Sequence, residues 1–430
     1  MGTRVVLFKL KSAGDNSPCH RWSWPALPFA AIALLGILLA GPVAGRGQRR
    51  AQRPRTAPVT TQATPGSQNF EAIAAAAAAA RDADKIDEAI GLYRQAVGLR
   101  PAWAEGWWFL GTLYYDHDNY AEAVPAFLRT AQIQQKVGAP WAMLALCEFQ
   151  LARYDDAHVH LVQARTLGLG DNSELVRVMR YHDGLLSILK GDFEKAHETL
   201  SSLSYEGLKS EELIISLGLA VLRIGMTPKE ITINYPDRAL IRRVGLAEHF
   251  AAERNMSDAQ REYDMAVRDY GKVANVQYAY GRFLLMNRDD EAAQAAFQRE
   301  VQNWPKHALA RCQLANIKLR NKDLEGGLPL AEEAVKMAPR LPLGHYIFGR
   351  LLLEAGQSDR AIVELETVSR MVPNEPKIYF ALARAYTKSK RKLDADKARA
   401  TFTRLSQVAG AGQGSGLPDD NPPAGNPPQL

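Results

Sequence analysis

The sequence has few cysteines and lacks the short strings that mark common catalytic sites. Its 430 residues include three cysteines, of which Cys147 and Cys312 fall inside helical patterns and Cys19 precedes a long uncharged run. Thiols in such positions give no disulfide framework and leave the redox compartment open. P-loop, HExxH, CxxC and GxSxG strings are all missing from the sequence, so it carries no signature of phosphate-transfer, metalloprotease, redox or hydrolase chemistry. We therefore predict a protein that is not an enzyme and needs no cofactor.

Nine histidines are the remaining candidates for a metal or catalytic site. His117 stands between Asp116 and Asp118, where a turn favours aspartate without any chemical role. His158 and His160 lie two residues apart, which on a helix turns their side chains about 200° away from each other and prevents them from sharing one metal ion. We expect structural roles for these histidines and predict no metal site. An enzyme with a site concealed among them is kept as an alternative.

Positive charge is concentrated before residue 70. Of the formal net charge of +6, residues 1–45 carry a surplus of three bases, and residues 46–69 carry five arginines and no acid. The tail after residue 408 carries two aspartates and no base, so the segment 70–408 is neutral. Nucleic-acid partners require a basic surface, and we therefore predict none.

A run of 24 residues without a charge extends from Trp22 to Gly45, with the centre ALPFAAIALLGILLAG. Its length could just span a bilayer, while its basic start, apolar middle and small residues near the end also fit a secretory signal. We predict that residues 1–45 are a signal peptide or an N-terminal membrane anchor. The protein is then expected to be exported, periplasmic or in the cell envelope, with a membrane contact through residues 22–45 if they are not cleaved.

One unit of 34 residues, 104–137, shows how the main part of the chain is built. A first helix is indicated by four residues that share one helix face: Trp107, Leu110, Gly111 and Tyr114. A polar turn follows, and then Ala123 and Phe127 mark the inward face of a second helix. We expect the small side chain of Ala123 to face Gly111, so that the two helices can approach each other closely.

The small residue of the first helix recurs along the chain with a period of 34 residues. The steps are all 34 except one of 39 and one of 29, which cancel each other. The small residues are Ala77, Gly111, Ala145, Gly184, Gly218, Ala247, Gly281, Ala315, Gly349 and Ala383.

The unit 104–137 resembles the tetratricopeptide repeat, whose tryptophan, leucine, glycine, tyrosine, alanine and phenylalanine it reproduces. The resemblance extends over about 340 residues. It implies an all-α, right-handed superhelical solenoid of about ten helix-turn-helix hairpins. The concave surface of such a solenoid is lined by the first helices and commonly receives peptides or partner helices.

The repeat spacing also predicts the domain organisation. Residues 46–69 are expected to be a disordered linker rich in Arg, Pro and Thr, and residues 409–430 a disordered tail. Between them we expect three repeat units (70–103, 104–137 and 138–171), degenerate units over 172–239, and five further units (240–273, 274–307, 308–341, 342–375 and 376–408).

Residues 226–239 depart from the repeat pattern. Gly218 should be followed twelve residues later by a small residue, but Glu230 stands there and Pro236 comes soon after. Thr227 and Glu230 could begin a short helix, which Pro236 would end. We predict a truncated or irregular second helix and a looser region at this point.

In the last four repeat units, two rows of side chains on the first helix of each unit predict a binding groove. The polar row stands directly after the small residues and consists of Arg282, Asn316, Arg350 and Arg384; the aromatic row, three residues before the small residues, consists of Tyr278, Cys312, Tyr346 and Phe380. Arginines beside aromatic rings suit an acidic segment or a C-terminal carboxylate of a partner protein. The alternative is a solvated row whose arginines pair with nearby acids such as Glu354.

A second candidate surface is apolar and consists of Trp108, Tyr115 and Phe149, which helix geometry places on the same groove face. The alternative is that these rings pack against neighbouring helices. Taken together, the sequence predicts a non-catalytic scaffold or adaptor of the cell envelope that binds other proteins. A docking or regulatory subunit of an enzyme complex is the alternative.

Overall fold

The computed structural model describes residues 65–409. The predicted leader or anchor, most of the predicted linker and the tail after residue 409 lie outside these residues. None of the helices within 65–409 combines the length and the apolar character needed to cross a bilayer.

Residues 65–409 form nineteen α-helices, and this part of the chain contains no strand. The helices are α1 (Pro65–Asp82), α2 (Ile86–Leu99), α3 (Ala104–Asp116), α4 (Tyr120–Ile133), α5 (Gly138–Gln150), α6 (Tyr154–Leu167), α7 (Ser173–Lys190), α8 (Phe193–Tyr205), α9 (Glu211–Val221), α10 (Arg238–Ala252), α11 (Met256–Tyr270), α12 (Val276–Met286), α13 (Asp290–Asn303), α14 (Ala308–Arg320), α15 (Leu324–Met337), α16 (Pro342–Glu354), α17 (Ser358–Met371), α18 (Pro376–Lys388) and α19 (Lys392–Ala409). The predicted fold class, an all-α solenoid of helical repeats, is confirmed.

The described residues divide into two compact units, 65–135 and 136–409. The first unit contains the hairpins α1–α2 and α3–α4, and Tyr93 and Phe127 are its largest fully buried side chains. The second unit contains the hairpins α5–α6, α7–α8, α10–α11, α12–α13, α14–α15, α16–α17 and α18–α19. Helix α9 also lies in the second unit, and turns follow it where a second helix would be expected.

Within the regular hairpins, a large side chain of the second helix covers the glycine of the first. A Cβ atom at Gly111 would lie 2.9 Å from the ring of Phe127, and one at Gly281 would lie 2.6 Å from the ring of Phe297. Ala123 is fully buried, as expected for a facing position. In both hairpins the side chain that covers the glycine comes sixteen residues after it. The second helix runs antiparallel to the first and so brings this residue beside the glycine.

The turn inside each hairpin has the same backbone geometry. Seven residues after the small residue, φ is positive at Asp84, Asp118, Ala152, Gly191, Arg254, Arg288, Lys322, Gly356 and Lys390. Most of these residues have a Cβ atom, so the packing of the two helices imposes the left-handed conformation without the help of glycine. After α9 the left-handed residue is Arg223, which follows Gly218 by only five positions.

Residues 222–237 form a series of turns that connects α9 directly to α10. The predicted start signal does form: the backbone N–H and the hydroxyl of Thr227 donate to Glu230 Oε2 at 2.6 and 2.8 Å. No helix continues from it. Arg238 Nη1 donates to the carbonyl of Ile231 at 2.5 Å, and Lys229 Nζ donates to Gln150 Oε1 at the end of α5. We call residues 222–237 the connecting strap.

Helices α9 and α10 pack backbone against backbone. A Cβ atom at Gly218 would lie 2.0 Å from the carbonyl oxygen of Ile241, and one at Gly245 would lie 1.9 Å from that of Ile214. Gly218 therefore faces α10, the first helix of the next hairpin. In a regular hairpin its own second helix would face it, but the strap takes the place of that helix.

Candidate protein-binding surface

The aromatic row lies mostly in the interior. Tyr278 is 2% exposed and Tyr346 is 0% exposed, and only Phe380 is partly accessible. Tyr278 packs on Phe297 and His307, with ring centroids 5.8 and 5.1 Å apart. From the sequence, these rings are predicted to line a surface. The burial of Tyr278 and Tyr346 corrects this prediction, because Phe297 and His307 enclose Tyr278 and because Tyr346 belongs to the hydrophobic core of α14–α19.

Two arginines of the polar row lie at the surface of neighbouring first helices. The guanidinium of Arg350 lies 5.4 Å from the centre of the Tyr346 ring, and Nη2 of Arg384 donates to Glu354 Oε1 at 2.7 Å. The side chains of Arg384 and Glu354 are 39% and 40% exposed. The pair that the sequence offered as the alternative to binding is therefore present, although both of its partners remain accessible to solvent.

Asn316 differs from the arginines in the same row because one of its polar atoms has no hydrogen-bond partner. Asn316 is 5% exposed, and its Oδ1 accepts no hydrogen bond from the described residues. The burial of Asn316 corrects its predicted place in the binding groove, because a buried side chain is not available to a partner. Helix α14 packs against α16, and α16 packs against α18, so Asn316, Arg350 and Arg384 follow one another across adjacent helices.

Arg282 belongs to a separate, largely buried network. Burial alone would lower the pKa of the Arg282 guanidinium, but Tyr278, Glu248 and Glu194 together raise that pKa above its ordinary value. The network links α8, α10, α11 and α12. Arg282 is thus a structural cation, which separates it from Arg350 and Arg384.

Glu248 is the centre of this network. Its Oε2 lies 2.5 Å from His197 Nε2, and its Oε1 accepts a hydrogen bond from the hydroxyl of Tyr263. Burial raises the pKa of Glu248, but His197 and Tyr263 outweigh burial and hold the pKa below its ordinary value. Glu248 is not among the residues predicted from the sequence. Its position directly after Ala247, in register with the polar row, was the available signal.

The apolar candidates are enclosed within each unit. In the first unit Trp108 and Tyr115 are 7% and 9% exposed and pack edge-on against Phe127 and Tyr120. In the second unit Phe149 is 7% exposed. It packs against Tyr154 and His182 at 5.3 and 4.9 Å. These contacts correspond to the packing alternative of the sequence analysis.

The histidines and cysteines singled out in the sequence interact with neighbouring groups of the fold or are buried within it. His117 Nδ1 lies 2.8 Å from the Leu113 carbonyl, and His160 Nδ1 lies 2.7 Å from Glu148 Oε2. Cys147 and Cys312 are buried free thiols, and burial raises the pKa of Cys312 to about 12. Among the described residues, no group of three His, Cys, Asp or Glu side chains could hold a metal ion.

Three segments of the chain match the tetratricopeptide repeat family: residues 74–139, 244–308 and 346–406. These segments are tetratricopeptide repeats. Proteins built from such repeats act as protein-interaction scaffolds. The last segment contains Arg350 and Arg384, so two of the surface cations lie on a matched repeat.

Similar proteins were found among curated sequences and solved structures. Anaphase-promoting complex subunit 3 of Schizosaccharomyces pombe is 24% identical over 145 residues, which cover 34% of this chain and 22% of that protein. The match thus spans about a fifth of the relative. The structure of MamA from residue 41 to its end, from Desulfovibrio magneticus RS-1, is 20% identical with a TM-score of 0.34, covering 40% of this chain and 96% of that chain. The APC/C hetero-tetramer Cut9–Hcn1 gives 11% identity and a TM-score of 0.37, covering 79% of this chain and 87% of that chain. Scores this low support no conclusion about partners.

Proposed function

We propose that this protein is a non-catalytic scaffold that holds acidic segments of partner proteins against α16 and α18. The observation that carries the proposal is the succession of Arg350 and Arg384 on these adjacent first helices. We call these two arginines the basic surface. Both lie on a segment that matches the tetratricopeptide repeat, and the first helices of such repeats commonly receive partner segments.

The chemistry of the two arginines is complementary to an extended acidic peptide. Guanidinium groups bind carboxylates through two parallel hydrogen bonds, and Arg350 and Arg384 supply two such groups. A partner carboxylate must compete with Glu354 for Arg384. That competition is feasible because an exposed ion pair contributes only about 0–1 kcal/mol.

The test is a binding titration with a labelled glutamate-rich decapeptide, alongside a glutamine-rich decapeptide of equal length. We expect the full-length protein to bind the glutamate peptide more tightly, and Arg350→Glu with Arg384→Glu to weaken that binding at least a hundredfold. Salt should weaken binding to the native chain, because it screens the charges. Circular dichroism of the variant should show unchanged helicity.

A matched control carries the same charge change elsewhere. Lys306 and Arg340 are exposed, stand one repeat apart, and lie in the loops that follow α13 and α15. Reversal of both charges, as Lys306→Glu with Arg340→Glu, alters the net charge equally without touching the basic surface. Equal loss of binding in the two double variants would show that net charge alone attracts the peptide, and the assigned surface would then be rejected.

We further propose that the scaffold works in the cell envelope, exported or held by residues 22–45. The uncharged run between Arg21 and Arg46 supports this location. Fractionation of the native cells should recover the protein with the membrane or in the exported fraction. N-terminal sequencing of the recovered chain would separate a cleaved signal from an anchor. Full-length protein found only in the cytoplasm would reject both forms of the proposal.

A further inference from the structure

The only charged residues between positions 410 and 430 are Asp419 and Asp420. They follow a stretch that contains four glycines within seven residues, from Gly410 to Gly416. We propose that this acidic segment of the chain itself occupies the basic surface in the absence of a partner, so that an acidic partner must displace it. The inference rests on the proposed function, because it assigns a competing occupant to the same surface.

The last helix delivers the segment to the correct end of the first helices. Helix α19 runs antiparallel to α18: Arg399 Nη2 donates to Thr387 Oγ1 at 2.8 Å, and Phe402 packs on Phe380 at 5.6 Å. Residue 409, at the end of α19, therefore lies level with the beginning of α18. Lys377 is in the first turn of that helix, so a third cation stands where the segment starts.

The number of intervening residues fits the distances to be covered. Ten residues lead from residue 409 to Asp419, a length that reaches at most about 33 Å when extended. For a glycine-rich chain of ten residues, polymer statistics give a root-mean-square span of about 18 Å. Packed helices lie about 8–10 Å apart, so Arg384 on α18 and Arg350 on α16 are both within the extended reach of the segment.

The two charges are complementary, and the covalent link strengthens a weak contact. Adjacent aspartates present two carboxylates to Arg350 and Arg384, the same groups that we assign to an acidic partner. A segment tethered by a short linker is present at an effective concentration in the millimolar range. An acidic peptide in solution must therefore outcompete a permanently available internal ligand.

The experiment uses full-length protein and a labelled peptide with the sequence of residues 416–425, GLPDDNPPAG. We expect this peptide to bind the variant Asp419→Asn with Asp420→Asn about tenfold more tightly than the native chain, because the internal competitor is lost. The variant Asp419→Glu with Asp420→Glu keeps both charges and should bind the peptide as weakly as the native chain. Equal affinity for the native chain and the asparagine variant would overturn the inference.

The glutamate-rich decapeptide separates this inference from the proposed function. If it binds the native chain and the asparagine variant equally, and Arg350→Glu with Arg384→Glu abolishes binding, the proposed function stands and the internal occupant is rejected. If it binds neither the native chain nor the asparagine variant, the proposed function fails, and the inference fails with it. A tenfold gain for both peptides in the asparagine variant supports the inference.

Discussion

The regular hairpins and the junction between α9 and α10 bring neighbouring helices together by different means. In the hairpin α16–α17, Gly349 faces a side chain: a Cβ atom there would lie 2.8 Å from Leu365 Cγ. At the junction, Gly245 faces the backbone, with the Ile214 carbonyl oxygen 1.9 Å from the corresponding Cβ position. Side chains adjust to a neighbour more readily than backbones do.

The two regions also differ in how they use charge. The Arg384–Glu354 pair of the regular region is accessible to water, whereas Glu248 at the junction is 8% exposed and interacts with His197 and Tyr263. Where the second helix is replaced by the strap, a buried polar network holds α8, α10, α11 and α12 together, and a glycine contact holds α9 against α10. The comparison teaches that one missing helix is compensated by contacts that tolerate less change.

Removal of the buried carboxylate should have the largest effect. We expect Glu248→Ala to lower the free energy of unfolding by about 3–5 kcal/mol, because it leaves His197 and Tyr263 without their shared acceptor and Arg282 without a nearby opposite charge. The matched change Glu354→Ala in the exposed pair should cost at most about 1 kcal/mol. Urea denaturation followed by circular dichroism measures both. Similar losses in the two variants would remove the distinction between the regions.

A methyl group at the two glycines should separate the regions next. Gly245→Ala should cost about 1–3 kcal/mol, because the added carbon meets a backbone carbonyl and α9 must shift away from α10. Gly349→Ala should cost less, since the nearest backbone atom, the Ala361 carbonyl oxygen, would lie 3.4 Å from the added carbon. The measurement is the thermal midpoint of each variant. A larger decrease for Gly349→Ala than for Gly245→Ala would contradict the comparison.

The pH dependence of stability should have opposite signs at two histidines. His307 Nδ1 accepts the Ala310 N–H at 3.0 Å, so the ring is neutral, and burial lowers the pKa of His307 to about 4. Its contribution to stability is complete above the ordinary pKa of 6.5 and is lost as the pH falls from there towards 4. His307 contacts Asn275, which in turn binds the Leu222 carbonyl of the strap, so acid should weaken the junction.

His345, in the regular region, faces two acceptors, Glu364 Oε2 at 2.6 Å and the Pro339 carbonyl at 2.9 Å. The hydrogen bond to Glu364 raises its pKa above 6.5, so its contribution is complete below pH 6.5 and is lost as the pH rises through the folded-state pKa. Urea midpoints at pH 5 and pH 8 test both residues. Between pH 8 and pH 5, the native chain should lose stability on the order of 1 kcal/mol through protonation of His307, and His307→Gln should abolish this loss. His345→Gln should abolish the loss of stability that deprotonation of His345 causes as the pH rises. Unchanged pH profiles in both variants would reject this assignment.

The sequence predicted the helices but could not predict which of their faces are covered. The spacing of small residues reports a contact inside each hairpin, and it located the first helices and the irregular segment after Gly218. Burial of Tyr278 and Tyr346 depends on neighbouring hairpins, and the periodicity of one helix carries no record of them. The contact between His197 and Glu248 joins residues 51 positions apart. No repeat spacing marks such a pair, because the network exists only where the repeat fails.

The connecting strap gives the smallest expected effect on stability and the most direct view of the junction. Its amides make isolated turn hydrogen bonds, such as Ile231 N–H to the Pro228 carbonyl at 3.2 Å, whereas those of α9 and α10 belong to continuous helices. Since exchange follows local opening, we expect the amides of residues 226–237 to exchange faster than those of the two helices. Lys229 is exposed, so Lys229→Ala should remove the contact with Gln150 at a cost below about 1 kcal/mol. That variant should accelerate exchange within the strap and leave α9 and α10 as protected as before. Equal protection of the strap and both helices in the native chain would show that the turns are as stable as the second helix that they replace.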